Sequence, residues 1–97
     1  MKRFFVTGQA ASDLKEIGRY SRETWGKRQS DHYLRQLAAR FQWISDNLNA
    51  GRKWPDLHES ILSFPDGEHL VFYRKNGDSV EILRVLHKRM DQISSFG

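Results

Sequence analysis

The chain has 97 residues, 38% of them hydrophobic and 29% charged, with a net charge of +4 and no cysteine. That length suits one small domain rather than two cores, and that composition suits a folded chain rather than a disordered tail. Disulfides and thiolate metal sites are excluded, and no run approaches the ~18 apolar residues of a membrane span.

The opening stretch, MKRFFVTGQ, offers only Phe4-Phe5-Val6 as an apolar segment. A secretory signal needs about 7–15 such residues. The expectation is therefore a single domain over residues 1–97, without a membrane segment, in a reducing compartment such as the cytoplasm. The charge is uneven. Residues 1–49 hold nine Lys/Arg and five Asp/Glu, while residues 50–97 hold seven of each. A mild positive field over the first half favours acidic partners. It falls short of the dense basic stripe of a dedicated DNA-binding domain.

In chain order, residues 3–7 read as a short strand of aromatic and β-branched types. Ala10, Leu14, Ile17 and Tyr20 follow a helical spacing that continues to Trp25, and Gly26 is suited to end that helix. Tyr33, Leu34, Leu37, Ala38, Phe41, Ile44 and Leu48 recur at three- and four-residue steps and predict a second helix over about 28–48. With so little chain between them, the two helices form an antiparallel hairpin. Beyond a polar stretch the period changes to two. Strands are predicted at 61–64, 68–75 and 79–87, joined by turns at Pro65-Asp66-Gly67 and Asn76-Gly77. The fold class is α+β: one strand, a helical hairpin, then a three-stranded antiparallel meander.

In the last strand Val80, Ile82, Arg84 and Leu86 alternate with Glu81, Leu83, Val85 and His87. Both faces are largely apolar, and a helical hairpin covers only one. The expectation is an apolar groove left partly open on the other face, with only a tail bearing Met90, Ile93 and Phe96 to cover it.

The four histidines lack zinc-site spacing. No phosphate-binding glycine loop or nucleophile elbow occurs. No metal or cofactor is expected. The one plausible catalytic set is Arg74, Arg84 and His87, suited to RNA cleavage by acid–base work and cationic stabilisation. A regular strand sends Arg84 and His87 to opposite faces, however, and Arg84 is equally read as paired with Glu81, Asp91 or a partner's carboxylate. Trp25, Trp43 and Trp54 are candidates for nucleobase stacking or, more simply, for packing.

Several matches accumulate in order: Asp13-Leu14, Ile17, Tyr20, Trp25-Gly26, Tyr33, Leu37, Gly51-Arg52, His69, Phe72-Tyr73-Arg74, Arg84-Val85-Leu86-His87 and Met90-Asp91. With these the sequence resembles the ParE toxins of bacterial type II toxin–antitoxin modules over about residues 7–91. The resemblance implies the RelE/ParE fold, a small curved sheet with a helical hairpin on it. It implies a ParD-like antitoxin whose acidic C-terminal segment occupies a toxin groove, and DNA gyrase as the target, so that the chain inhibits an enzyme rather than being one. DNA would be met only through the antitoxin or gyrase. On this reading Arg74, Leu83, Arg84, Val85 and His87 are expected at the antitoxin, and Trp25, Lys88 and Arg89 at the target. The alternatives are a RelE-type ribosome-dependent mRNA endonuclease using Arg74, Arg84 and His87, and an inactive relative that only binds an antitoxin.

Overall fold

Aromatic and β-branched side chains favour extended backbone. In the computed structural model, which describes residues 3–96, Arg3–Val6 forms strand β1. Thr7 then caps helix α1, Gly8–Trp25, its Oγ1 accepting the Ala10 N–H at 3.2 Å. The same hydroxyl donates to the Leu83 carbonyl, so the cap ties the start of α1 to the sheet. Gly26 closes α1 by donating its N–H to Arg22 O, and opens helix α2, Lys27–Asp46, by accepting from the Ser30 N–H. Its φ of +91° is a region that disfavours any residue with a Cβ. Small residues let the two helices approach. Ser21 Oγ donates to Ser30 Oγ at 2.7 Å, Ser30 Oγ donates to Gly18 O at 3.0 Å, and Leu34 packs where Gly18 has no side chain.

The second half forms β2 (Arg52–Lys53), β3 (Ile61–Asp66), β4 (His69–Asn76), β5 (Ser79–His87) and a short helix α3 (Gln92–Phe96). One sheet results, in the order β1-β5-β4-β3-β2. β1 lies parallel to β5, and the other neighbours are antiparallel. The α+β meander with its helical hairpin is as expected. The N-terminal strand is also found as expected and joins the sheet beside β5. β2 is an addition, too short for any periodicity to reveal. The expected turn at Pro65-Asp66-Gly67 also shifts. Pro65 and Asp66 belong to β3, and the turn is made at Gly67, with φ +56°. β2 borders β3 only at Leu62 and Ser63, so the missing N–H of Pro65 falls on an unpaired edge where it breaks no ladder.

A bulge resets the alternation in β5. Phe72 lies opposite Arg84 and Tyr73 opposite Ile82, so Leu83 is supernumerary. Val80 and Ile82 before the bulge and Val85 after it therefore all reach the same core. They pack there with Leu62, Val71 and Tyr73 of the sheet and with Leu37, Phe41 and Ile44 of α2.

The opposite face is not open, contrary to the sequence expectation. Phe72, Leu86 and Ile61 are buried there. Trp54 covers Phe72 edge-on from the loop after β2 and anchors itself by donating Nε1–H to Ser63 Oγ at 2.7 Å. Phe96 of α3 covers Phe72 from the other side. The tail and loops thus close a surface that the helices do not reach.

Gly51 packs closely on the end of a helix-side core residue, since a Cβ there would overlap the buried Tyr73 hydroxyl and press on Ser63 O. Gly51→Ala is expected to lower the unfolding free energy by roughly 1–3 kcal/mol in urea melts. Gly8→Ala, which faces open space, should leave stability unchanged or slightly raised.

Candidate functional site

β1 runs beside β5 only from Ser79 to Ile82. From Leu83 to His87 that edge of β5 has no neighbouring strand among the described residues. Unpaired backbone polar groups need other partners, and the chain supplies several. Thr7 N–H donates to Ile82 O at 3.1 Å and Thr7 Oγ1 to Leu83 O at 3.0 Å. Asp13 Oδ2 accepts the Val85 N–H at 2.9 Å.

Asp13 does more than cap the edge. Its two oxygens also receive Arg84 Nε at 2.8 Å and Nη2 at 3.0 Å, a forked ion pair with both side chains largely buried. Arg84 Nη1 donates onward to Ser95 O of α3 at 2.9 Å. One guanidinium thus reaches round the open edge and joins α1, on one face of the sheet, to α3 on the other. The Asp13 carboxylate raises the Arg84 pKa further above its ordinary value. The expected partners Glu81 and Asp91 are engaged elsewhere. Glu81 pairs with Arg74 at 3.3 Å, and Asp91 accepts from Ser94 in the first turn of α3.

Between α1 and this edge lies a groove of about 650 Å³. Its apolar walls are Ile17, Tyr20 and Trp25 on the helix side, Val85 and Leu86 on the strand side, and Met90 beyond. Tyr20 is 60% and Trp25 52% exposed, and their rings meet edge-on at 6.4 Å. The charges around the groove balance, with Asp13, Glu16 and Glu68 facing Arg19, Arg84 and Arg89.

At one end stands a chain of aromatic polar groups. Tyr33 Oη lies 2.6 Å from His69 Nδ1, and the His69 and His87 rings meet edge-on at 5.3 Å. Tyr33 Oη also accepts the Glu68 N–H at 3.2 Å. A neutral His69 with Nδ1 accepting the phenolic proton satisfies this geometry. Burial, helped by the neighbouring His87, lowers the His69 pKa to about 4. Burial likewise raises that of Tyr33. His87 Nδ1 accepts the Arg89 N–H at 3.0 Å, and its Nε2 lies 3.9 Å from Glu68. Among the described residues no group of three or more His, Asp or Glu is close enough to hold a metal.

Of the residues singled out in the sequence, Arg84, Val85, His87, Arg89 and Trp25 line this groove. Arg74, Leu83 and Lys88 do not. Arg74 is on the far face with Glu81, and Lys88 donates its N–H to Glu68 O. Arg74, Arg84 and His87 therefore do not converge. Trp43 packs on Phe64 under Arg40, and Trp54 lies beneath Arg52. Sequence reasoning gave no role to the Asp13 carboxylate as the partner of Arg84, 71 positions away. No local pattern signals such a pairing.

The model of the family described as "ParE toxin of type II toxin-antitoxin system, parDE" matches residues 4–92. The chain belongs to the ParE toxins. It is 35% identical over 97 residues to Toxin ParE1 of Caulobacter vibrioides, covering 100% of both chains. It is 31% identical over 90 residues to Toxin ParE1 of Mycobacterium tuberculosis, covering 92% of each. A solved structure described as the chromosomal ParDE TA system from P. aeruginosa shares the ParE fold at a TM-score of 0.74, with 18% identity, over 90% of this chain and 95% of that one.

Removing Asp13 from this ParE toxin strands the Arg84 cation and the Val85 N–H. Asp13→Ala should cost about 2–4 kcal/mol of stability in denaturant melts, and adding Arg84→Ala should cost little more. His69 supplies a pH test. Its folded pKa of about 4 lies below the ordinary 6.5, so below pH 6.5 the unfolded chain takes up a proton that the folded chain refuses. That contribution to stability is intact above about pH 6.5 and declines as pH falls toward 4. Nuclear magnetic resonance of the imidazole should give a midpoint near 4, and His69→Gln should flatten this part of the stability profile.

Proposed function

We propose that this ParE toxin is held inactive by a ParD-like antitoxin and, when released, inhibits DNA gyrase and so blocks replication. The observation that carries the antitoxin half is the groove between α1 and the open edge of β5. It is lined by apolar side chains with two half-exposed aromatic rings and is continuous with an unpaired strand edge. An amphipathic segment that folds on binding would bury Tyr20, Trp25 and Met90 under its apolar face. The balanced charges of the groove make apolar fit the main source of affinity. Arg89 and His87 at the rim would meet the acidic residues of that segment.

For the target, the supporting feature is that the basic groups suited to RNA cleavage are dispersed. The Arg84 fork is spent on Asp13 and Ser95, Arg74 pairs with Glu81 on the far face, and His87 stands apart from both, in the groove beside Glu68. A surface that binds and blocks, rather than a constellation of acid, base and cation, fits inhibition of an enzyme. Among the described residues no helix is long and apolar enough to cross a membrane, and the proposed site of action is the cytoplasm. The whole of residues 1–97 acts as one toxin domain in this reading.

The purified chain should suppress gyrase supercoiling and accumulate cleaved plasmid, and an antitoxin added in equal amount should reverse both. Ribosome-dependent cleavage of mRNA with no effect on gyrase would overturn the target assignment. Arg89→Glu, on an exposed side chain, should weaken antitoxin affinity by roughly threefold to tenfold, the scale of a rim charge, with little change in stability.

A further inference from the structure

The positive excess of the first half does not lie in the groove. It gathers where α1 hands over to α2. Between residues 19 and 35 there are five Lys/Arg and two acids. Arg28, His32 and Arg35 are all exposed and spaced at i, i+4 and i+7, so they project from one side of α2. They line a second concavity of about 570 Å³, walled at one end by the Trp25 ring. Lys27 is neutralised by Asp31 at 2.9 Å. Among the described residues no carboxylate lies within ion-pairing distance of Arg28 or Arg35. Seven residues of helical rise set the backbone positions of Arg28 and Arg35 about 10 Å apart along the axis. A half-exposed indole beside them is unusual for so large an apolar ring.

We propose that this concavity binds single-stranded DNA directly, with phosphates on Arg28 and Arg35 and an unstacked base on the Trp25 indole. An aromatic face set in a cationic trough serves any base, because every base has a π-face and every nucleotide a phosphate. The forked donors of arginine suit phosphate oxygens. An acidic peptide would use the cations and leave the indole unexplained. The choice of DNA over RNA rests on the gyrase reading, in which broken DNA is at hand; the contact itself does not. Trp25 also forms part of the groove wall. A segment in the groove and a strand in the trough therefore share one ring, and an antitoxin seated in the groove would compete with the DNA.

The test is fluorescence anisotropy of a labelled oligothymidine of about 12 nucleotides with the intact protein and no gyrase present. Failure here is thus separate from failure of gyrase inhibition. The wild type should bind with an affinity that falls steeply between about 50 and 200 mM salt. Arg28→Glu with Arg35→Glu should weaken binding at least tenfold and reduce the salt slope by about 1.4. Trp25→Ala should weaken it severalfold and Trp25→Phe less. Lys53→Glu with Lys75→Glu, beyond the other end of α2, applies the same charge change and should have a small effect. Circular dichroism confirms that each variant is folded. Absence of binding by the folded wild type would overturn the proposal. So would equal loss in both double variants, tighter binding of RNA than of DNA, or preference for a glutamate-rich peptide over the oligonucleotide.

Discussion

The forked pair between Asp13 and Arg84 is the interaction on which this arrangement depends. β1 stops at Val6, and the strand it borders continues for five more residues. A free edge of that kind invites pairing with other chains. The fold answers by filling the in-plane position with a carboxylate that takes the Val85 N–H and the Arg84 fork together. Arg84 in turn fixes α3, whose Phe96 closes the far face over Phe72. A polar clamp at one edge thus positions layers on both sides of the sheet, while the groove next to it stays open.

The division of labour between the two concavities follows from what lines them. The groove is apolar with its charges cancelled, so its occupant is selected by shape and by hydrophobic burial. The trough at the helix turn is polar and positive, so its occupant is selected by charge. Trp25 stands between them. Under the proposed function these surfaces would be accessible in the free toxin and covered in the neutralised one, and Trp25, shared by both, would couple the two conditions.

Much of the architecture was legible because it rests on local patterns. The spacing from Tyr33 to Ile44 specified α2, Gly26 specified the hairpin, and residues 79–87 were read with the bounds of β5. The parts that were not legible are those decided by distant residues. Alternation placed Val85 opposite Val80 and Ile82, and the Leu83 bulge returns it to their face, while Arg84 and His87, both beyond the bulge, lie on opposite faces as parity has it. The far face read as open because nothing local indicates that Trp54 and Phe96 converge on Phe72. Arg84 was recognised as a residue in need of an acid, but its partner lies in the first helix, where only the folded chain reveals it. Arg84 and His87 were both singled out in the sequence; the first proves to be a clamp across the strand edge, and the second lines the groove beside it.

The most direct test of this account is amide hydrogen exchange of the toxin with and without its antitoxin. Binding in the groove predicts new protection at the backbone of residues 83–87 and along the face of α1 from Asp13 to Tyr20, with the β2–β3 end of the sheet unchanged. Protection confined to β2 and β3, with the free edge of β5 exchanging as before, would contradict it.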